Sequence, residues 1–379
     1  MKYMGSKRYM LQNGFGSAIS AAAPDCERVV DLFSGSAVVS WYAAERFVAP
    51  VLAVDLQSYS AVLARAVIAR TRSLDLEKIQ EEWIEPAQRS ARSMAEWVPA
   101  GKFDSPKSKT AVRHARRLCG REDVGPIWSA YGGHYFSPRQ ALLIDHGLVK
   151  LPAREPYRSS CRAALIAAAA YCAASPGHTA QPFQPTDSAL PYIRENWARD
   201  PFVYARSWIE LIVDRHARSK GTAKVGEAIE VAKGLSAGDL VIVDPPYSAV
   251  QYSRFYHVLE AIASLGGGEA PKVSGVGRYP PLELRPSSDF SKKGSSRDAI
   301  GGLLDALAEV GCRAIITFPK GRCSNGLSGT QIAQLARRKD FEVTTKSVRG
   351  RFSTLGGNGT IRDARHDSRE LIMTLAPGG

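Results

Sequence analysis

The chain predicts an α/β protein with a parallel sheet built from its two ends and an inserted, mainly helical region between them. Three observations carry this. Residues 28 to 70 alternate strand and helix signals, the same texture returns from about residue 222, and the intervening stretch loses that rhythm. A chain of 379 residues, 44% hydrophobic and 23% charged, has ordinary globular composition and enough length for two or three structural units.

Taken in order, Val29 to Leu32 is a short apolar run of β-branched type. Ser34-Gly35-Ser36 punctuates it, and Val38 to Phe47 continues as a helix. Val51 to Val54 reads as a second buried strand, and Tyr59 to Arg70, rich in Ala, Leu and Arg, as a second helix. A βαβα pattern requires crossover connections and hence parallel strands. Residues 75–221 hold Trp, Pro and basic clusters with one Ala-rich helix near 160 to 174, which sets the expected parts at 1–74, 75–221 and 222–379. In the last part Leu240 to Val243 and Arg313 to Phe318 are strands with the helix Arg297 to Val310 between them, and Leu371 to Leu375 is a candidate closing strand. The segment 266–296 is rich in Gly, Pro and Ser; a loop that long inside a compact unit is usually functional or disordered.

The charge narrows the function classes. Fifty Lys and Arg against 37 Asp and Glu leave +13, a surplus suited to a polyanionic partner. The longest apolar stretch, Ala163 to Ala174, is 12 residues, short of the roughly 20 that span a bilayer. MKYMGSK has no adjoining apolar run of the secretory kind. Six scattered cysteines without a C-x-x-C pair, and dispersed histidines, speak against a zinc site or disulfide framework; reduced thiols in a cytoplasm fit better. Between residues 102 and 121, Lys102, Lys107, Lys109, Arg113, Arg116, Arg117 and Arg121 face only Asp104. As a group these favour phosphate contact, although any one of them alone reads as part of a solvated helix face. Lys292 and Lys293, in the long loop, are further candidates.

Asp244-Pro245-Pro246-Tyr247 directly follows the strand Leu240 to Val243. A strand end delivers the carboxylate to the rim of the sheet, where open α/β folds place ligands. Two prolines remove two N–H donors and fix φ, so a carboxylate and a rigid carbonyl form a paired acceptor for an –NH2 group. Tyr247 offers a flat face for a base. An exocyclic amine is a poor nucleophile because its lone pair is delocalised, and two acceptors on its hydrogens favour the tetrahedral form. Taken alone, the tetrad is also an ordinary strand-to-turn connection. A second pattern, Asp31-Leu32-Phe33-Ser34-Gly35-Ser36-Ala37, opens a helix, and Asp55 ends the next strand twenty residues after Gly35. Small residues admit a ligand to the backbone, and the acid suits ribose hydroxyls. Lys2-Tyr3-Met4-Gly5-Ser6-Lys7 adds a cation and a ring, or is simply a basic terminus. Tyr252, Phe255, Tyr256 and Leu259 follow i, i+3, i+4, i+7 spacing and read as helix core. Trp128, Tyr131, Tyr135 and Phe136 read as core of the insertion, and His134 and His257 as structural.

KYMGSK, DLFSGSA, Asp55, a basic insertion and DPPY, in this order, resemble the DNA adenine-N6 methyltransferases of the DNA adenine methylase type. The resemblance covers both sheet-forming ends and implies a Rossmann-like S-adenosylmethionine-dependent methyltransferase sheet with an inserted target recognition domain. It implies site-specific methyl transfer from S-adenosyl-L-methionine to the N6 amine of a flipped adenine in double-stranded DNA, without a metal. Tyr3 and Lys7 would border the methionine half of the cofactor, and Phe33, Ser34, Gly35 and Ser36 would form its floor. Asp55 would bind the ribose, and Glu227, in Val225-Gly226-Glu227-Ala228, the adenine. Asp244, Pro245, Pro246 and Tyr247 would hold the target base. Two positions depart from the family pattern, Glu227 for its aspartate and Ala37 for its second glycine. The open alternatives are N4-cytosine methylation, a substrate in RNA or protein glutamine, and a non-catalytic DNA-binding regulator on the same scaffold. A restriction endonuclease or defence-system components are candidate further partners.

Overall fold

The computed structural model describes residues 7–97, 100–121, 124–265, 270–353 and 365–378. Seven strands form one sheet: β1 (Arg28–Asp31), β2 (Val51–Asp55), β3 (Thr222–Val225), β4 (Asp239–Val243), β5 (Arg313–Pro319), β6 (Phe341–Ser353) and β7 (Arg365–Pro377). Their order is β3-β2-β1-β4-β5-β7-β6. The first five are mutually parallel, whereas β7 runs antiparallel between β5 and β6. Successive strands run outward from β1 to β2 and β3 on one side, and from β4 to β5 on the other. The order therefore reverses between β1 and β4, which pair with Asp31 opposite Ile242. At such a reversal the crossovers leave on opposite sides, opening a crevice at the carboxyl ends of the two strands.

Burial follows from the parallel arrangement. β4 lies at the centre, and Leu240, Val241, Ile242 and Val243 are wholly buried, as expected for a strand covered on both faces. One face gathers alternate residues: Val30 and Leu32, Leu52 and Val54, Val241 and Val243, then Ala314, Ile316 and Phe318. This period of two meets Ile300, Leu303, Leu304 and Leu307 of the helix Ser296–Val310, and Ile332, Ala333 and Ala336 of the helix Gly329–Arg337. Elsewhere on the sheet the helices Val38–Arg46 and Ser58–Ile68 are joined by Trp41, whose indole N–H donates to Leu63 O at 3.1 Å.

The expected strands and helices of both ends are present, with bounds shifted by one or two residues, except that the strand expected at Leu371 to Leu375 is the longer β7, Arg365–Pro377. Two strands lay outside the sequence expectation. β3 is four residues long at the sheet edge, and β6 is a long antiparallel strand that the alternation of Phe341, Val343 and Thr345 supports only weakly. The turn after β1 is tight. Gly35 sits at φ +47° and Ala37, fully buried, at φ +63°.

The chain divides into two compact units, one of residues 4–72, 216–252 and 286–379 and the other chiefly of 73–215 and 253–285. The second is helical. Its central helix, Tyr157–Cys172, is the apolar stretch seen in the sequence; Cys161 and Ala163 to Ala169 are all buried, so it is apolar all round because it is a core helix. No helix among the described residues is long and apolar enough to cross a membrane. Residues 253–285, expected with the C-terminal part, pack in this helical unit. Thr179 donates its backbone N–H and its hydroxyl to Phe255 O, both at 2.7 Å, and Arg162 donates to Ala263 O at 2.6 Å. Phe255, Tyr256 and Leu259 supply buried core there. Trp128, Tyr131, Tyr135 and Phe136 are likewise fully buried.

An L-residue at φ near +60° carries roughly 1–2 kcal/mol of strain that glycine escapes, less glycine's extra unfolded-state entropy. Ala37 is wholly buried, and losing its methyl costs about 0.8 kcal/mol more, so Ala37→Gly is expected to leave stability within about 0.5 kcal/mol of the parent; thermal or urea unfolding of the two proteins checks it.

Candidate active site

Asp244 follows β4 at the order reversal, and two side chains reach its carboxyl group. Thr317 of β5 donates its hydroxyl to Oδ1 at 2.7 Å. Lys7 Nζ lies 3.1 Å from the same oxygen and 2.8 Å from Glu370 Oε2 on β7. The pairing of Pro319 with Glu370 in the β5–β7 ladder brings Glu370 to this end of the sheet. Lys7 is only 5% exposed, and its ammonium also lies 6.0 Å from the centre of the Tyr247 ring, near the outer limit of a cation–π contact. Burial would lower the Lys7 pKa, but the charges of Asp244 and Glu370 outweigh it and hold the amine above the usual lysine range. Burial raises the Asp244 carboxyl, Lys7 opposes that, and Glu370 adds to it.

The backbone of the tetrad is fastened from behind. Asn325, fully buried, donates its amide hydrogens to Pro246 O and Phe290 O, each at 3.0 Å. Phe290 in turn packs edge-on against Phe33, ring centres 5.0 Å apart. Beside Phe33, Ser34 donates its N–H to Val54 O at 2.9 Å. Its hydroxyl is buried and, among the described residues, has no hydrogen-bond partner. Asp55 accepts from Gly35 N at 2.8 Å and from Gln57 N at 3.0 Å, so the acid at the end of β2 closes the turn after β1. Asp31, buried, accepts from the Ser40 hydroxyl at 2.6 Å. Burial, despite that hydrogen bond and with the Asp244 charge adding, lifts its pKa to about 7.

Lys7, Asp244 and Tyr247 therefore come together, as do Phe33, Ser34, Gly35 and Asp55. Tyr3 lies outside the described residues. Glu227 is turned onto its own helix, where it accepts from Ile229 N at 2.8 Å and Glu230 N at 3.2 Å as an N-cap. Among the basic residues, Lys102 and Lys107 are exposed, as are Arg113 and Arg117, which share a face of the helix Lys109–Cys119 with Thr110 and His114. Lys109 pairs with Asp187 at 2.9 Å and Lys292 with Asp289 at 2.7 Å; Lys293 is exposed. Arg116 points inward and donates to Gly133 O, Gln184 Oε1 and Phe183 O, so it holds the helix in place rather than facing solvent. His257 is buried and His134 half-buried, and desolvation drops both to about 3, so both are neutral.

Sequence reasoning missed Thr317, Glu370 and Asn325. Thr317 left a trace as the polar interruption in RAIITF, and Glu370 as the acid just before LIMTL. Asn325 sits in a loop with no pattern around it.

Two outcomes follow from the charges. Removing Glu370 takes one charge-assisted hydrogen bond from the buried Lys7 ammonium, while Asp244 still compensates its charge. Glu370→Leu should therefore lose about 1–3 kcal/mol in urea unfolding, and Glu370→Gln, which keeps a hydrogen-bond acceptor, should lose less. For Asp31, the folded chain keeps a proton up to about pH 7 that the unfolded chain loses near pH 4. Its stabilising contribution is complete below pH 4 and disappears as the pH rises through 7. Asp31→Asn should therefore gain stability relative to the parent between pH 4 and 7, as paired unfolding curves across that range would show.

Residues 3–94 match the family model described as D12 class N6 adenine-specific DNA methyltransferase. No curated protein matches the chain. The matched stretch carries Lys7, the turn through Gly35 and Asp55, and the seven-stranded sheet is of the Rossmann-like kind such enzymes use. Over residues 3–94 the chain is thus similar to the D12 class N6 adenine-specific DNA methyltransferases, and the acidic tetrad at the end of β4 accords with that likeness.

Proposed function

We propose that the protein transfers a methyl group from S-adenosyl-L-methionine to the N6 amine of an adenine extruded from double-stranded DNA at a specific site. The observation that carries this reading is the position of Asp244 and Pro245 at the carboxyl end of β4, beside the turn through Gly35 at the order reversal of the sheet.

The residues around that turn fit the cofactor. The Ser34 hydroxyl is buried without a protein partner among the described residues, an uncompensated group of the kind a bound ligand satisfies. Gly35, at φ +47°, admits a ligand close to the backbone, and Asp55, held at the end of β2 by the N–H groups of Gly35 and Gln57, would bind ribose hydroxyls. Phe33, Ser34, Gly35 and Ser36 would line the floor. Lys7, Tyr3 and Glu227 stand as further contacts, and the glutamate would have to leave its N-cap to serve. Bound there, S-adenosylmethionine supplies an electrophilic methyl on a sulfonium.

At the target, Asp244 and the Pro245 carbonyl accept the two hydrogens of the adenine amine and favour a tetrahedral nitrogen with its lone pair available. Thr317 and Lys7 both bind Oδ1 of Asp244, which fixes the carboxyl plane and directs Oδ2 to the amine. Asn325 fixes the carbonyl of Pro246, and Tyr247 stacks on the base. The methyl would pass to the amine nitrogen as its bond to the sulfonium sulfur breaks, and the proton the amine then loses would pass to solvent water. The protein's contribution is orientation and preorganised charge. Extruding the base costs a few kcal/mol, and the exposed basic residues, Lys102, Lys107, Arg113 and Arg117 among them, supply salt-dependent affinity for the duplex.

Asp244→Ala is expected to abolish transfer of labelled methyl from S-adenosylmethionine to unmethylated DNA, with salt-dependent DNA binding largely retained. Nucleoside analysis of the parent's product should give N6-methyladenine. A variant that methylates at the parental rate overturns the reading of the tetrad, and N4-methylcytosine as product overturns the substrate.

A further inference from the structure

The helical unit carries a short hairpin turn whose base is clamped and whose tip is held out. Ser274 N donates to Tyr279 O at 2.8 Å and Tyr279 N to Ser274 O at 3.0 Å. Between them Gly275, at φ +68°, and Arg278, at φ +52°, occupy the left-handed region. Arginine disfavours that conformation, and its side chain secures it by donating to Ala130 O at 2.7 Å and Ser129 O at 2.9 Å. Gly277 O accepts from the Tyr135 hydroxyl at 2.8 Å and from His257 Nε2 at 2.9 Å. A side chain at Gly277 would collide with the Tyr279 ring.

On this rigid base Val276 is 59% exposed, and Leu282 and Leu284, on the next turn, are 74% and 68% exposed. Two cations accompany them. The guanidinium groups of Arg254 and Arg285 lie 5.4 and 4.9 Å from the centre of the Tyr279 ring. Arg254 Nε donates to the Tyr279 hydroxyl at 3.1 Å, and Arg285 Nε to Pro280 O at 2.8 Å. Among the described residues neither has an ion-pair partner.

Exposed apolar side chains alone would suit a protein partner. Two oriented arginines outside any ion pair among the described residues, on a protein of net charge +13, suit a polyanion; Glu283, exposed between the two leucines, is the one acidic residue of the segment 274–285. Guanidinium groups for phosphate together with an apolar wedge for the bases form the combination used by proteins that enter and bend a DNA groove. We propose that the turn Ser274–Tyr279, with Arg254, Arg285, Leu282 and Leu284, is a DNA-contacting element of this enzyme. Arg254 and Arg285 neutralise backbone phosphates, while Val276 and the two leucines press apolar surface into a groove. The proposal rests on duplex DNA being the substrate.

The test is anisotropy of a fluorescein-labelled, mixed-sequence duplex at several salt concentrations, with methyl transfer to native and heat-denatured unmethylated genomic DNA measured in parallel. Arg254→Gln/Arg285→Gln should weaken duplex binding about tenfold and reduce the slope of log affinity against log salt by about 1 to 2. Arg254→Lys/Arg285→Lys, which keeps the charge, should restore that slope. Val276→Ser/Leu284→Ser should leave the slope unchanged, yet slow transfer to native DNA several-fold more than to denatured DNA. Parental affinity, slope and native-to-denatured ratio in all variants, with the parent binding and methylating DNA, overturn the proposal while the enzymatic reading stands. Altered self-association in sedimentation with DNA binding unchanged assigns the patch to protein contact instead. A parent that neither binds nor methylates DNA overturns both.

Discussion

A buried ammonium needs compensating charge, and at Lys7 this requirement ties together the parts of the site. The amine meets Asp244 after β4 and Glu370 on β7, while Thr317 of β5 completes the shell of Asp244. Four segments that are distant in sequence are thus held at one end of the sheet. A buried ion pair seldom adds net stability over apolar packing, because desolvation offsets the attraction. What the triad supplies is geometry, a fixed carboxyl plane beside two prolines that have no N–H to compete for it.

The sheet order explains why this geometry sits where it does. With β1 and β4 adjacent and the order reversing between them, the turn through Gly35 and the tetrad at Asp244 follow the carboxyl ends of neighbouring strands. Asp55 accepts from Gly35 N, so the acid that ends β2 also shapes the turn after β1. Ala37 is left in the left-handed region, a conformation held by its wholly buried surroundings.

The helical unit obeys a different constraint. Its central helix is alanine-rich and buried all round, which lets neighbouring helices approach closely. Arg116 and Arg278 are spent on backbone carbonyls, so basic composition in this region overstates the charge offered to solvent. The exposed face of Arg113, His114 and Arg117 is what remains of the basic cluster on that helix.

The parallel core was legible in the sequence because buried strands are short apolar runs and their crossovers are amphipathic or alanine-rich helices; Val51 to Val54, Leu240 to Val243 and Arg313 to Phe318 all carried that pattern. The tetrad, alone also an ordinary strand-to-turn connection, stood out because it follows a buried strand and stands in order with KYMGSK, DLFSGSA and Asp55. β3 escaped because a four-residue edge strand is stabilised by its pairing with β2 rather than by its own composition. The placement of residues 253–285 escaped because a helical apolar stripe does not say which core it will fill. Glu370, Thr317 and Asn325 became partners of the site only through strand register and a loop's approach to the tetrad. The sequence by itself determined which residues bear charge, ring or rigid carbonyl and in what order along the chain. Tertiary structure alone decided which of them meet, because contact between positions as far apart as Lys7 and Glu370 is set by the pairing of whole strands and the burial of shared charge.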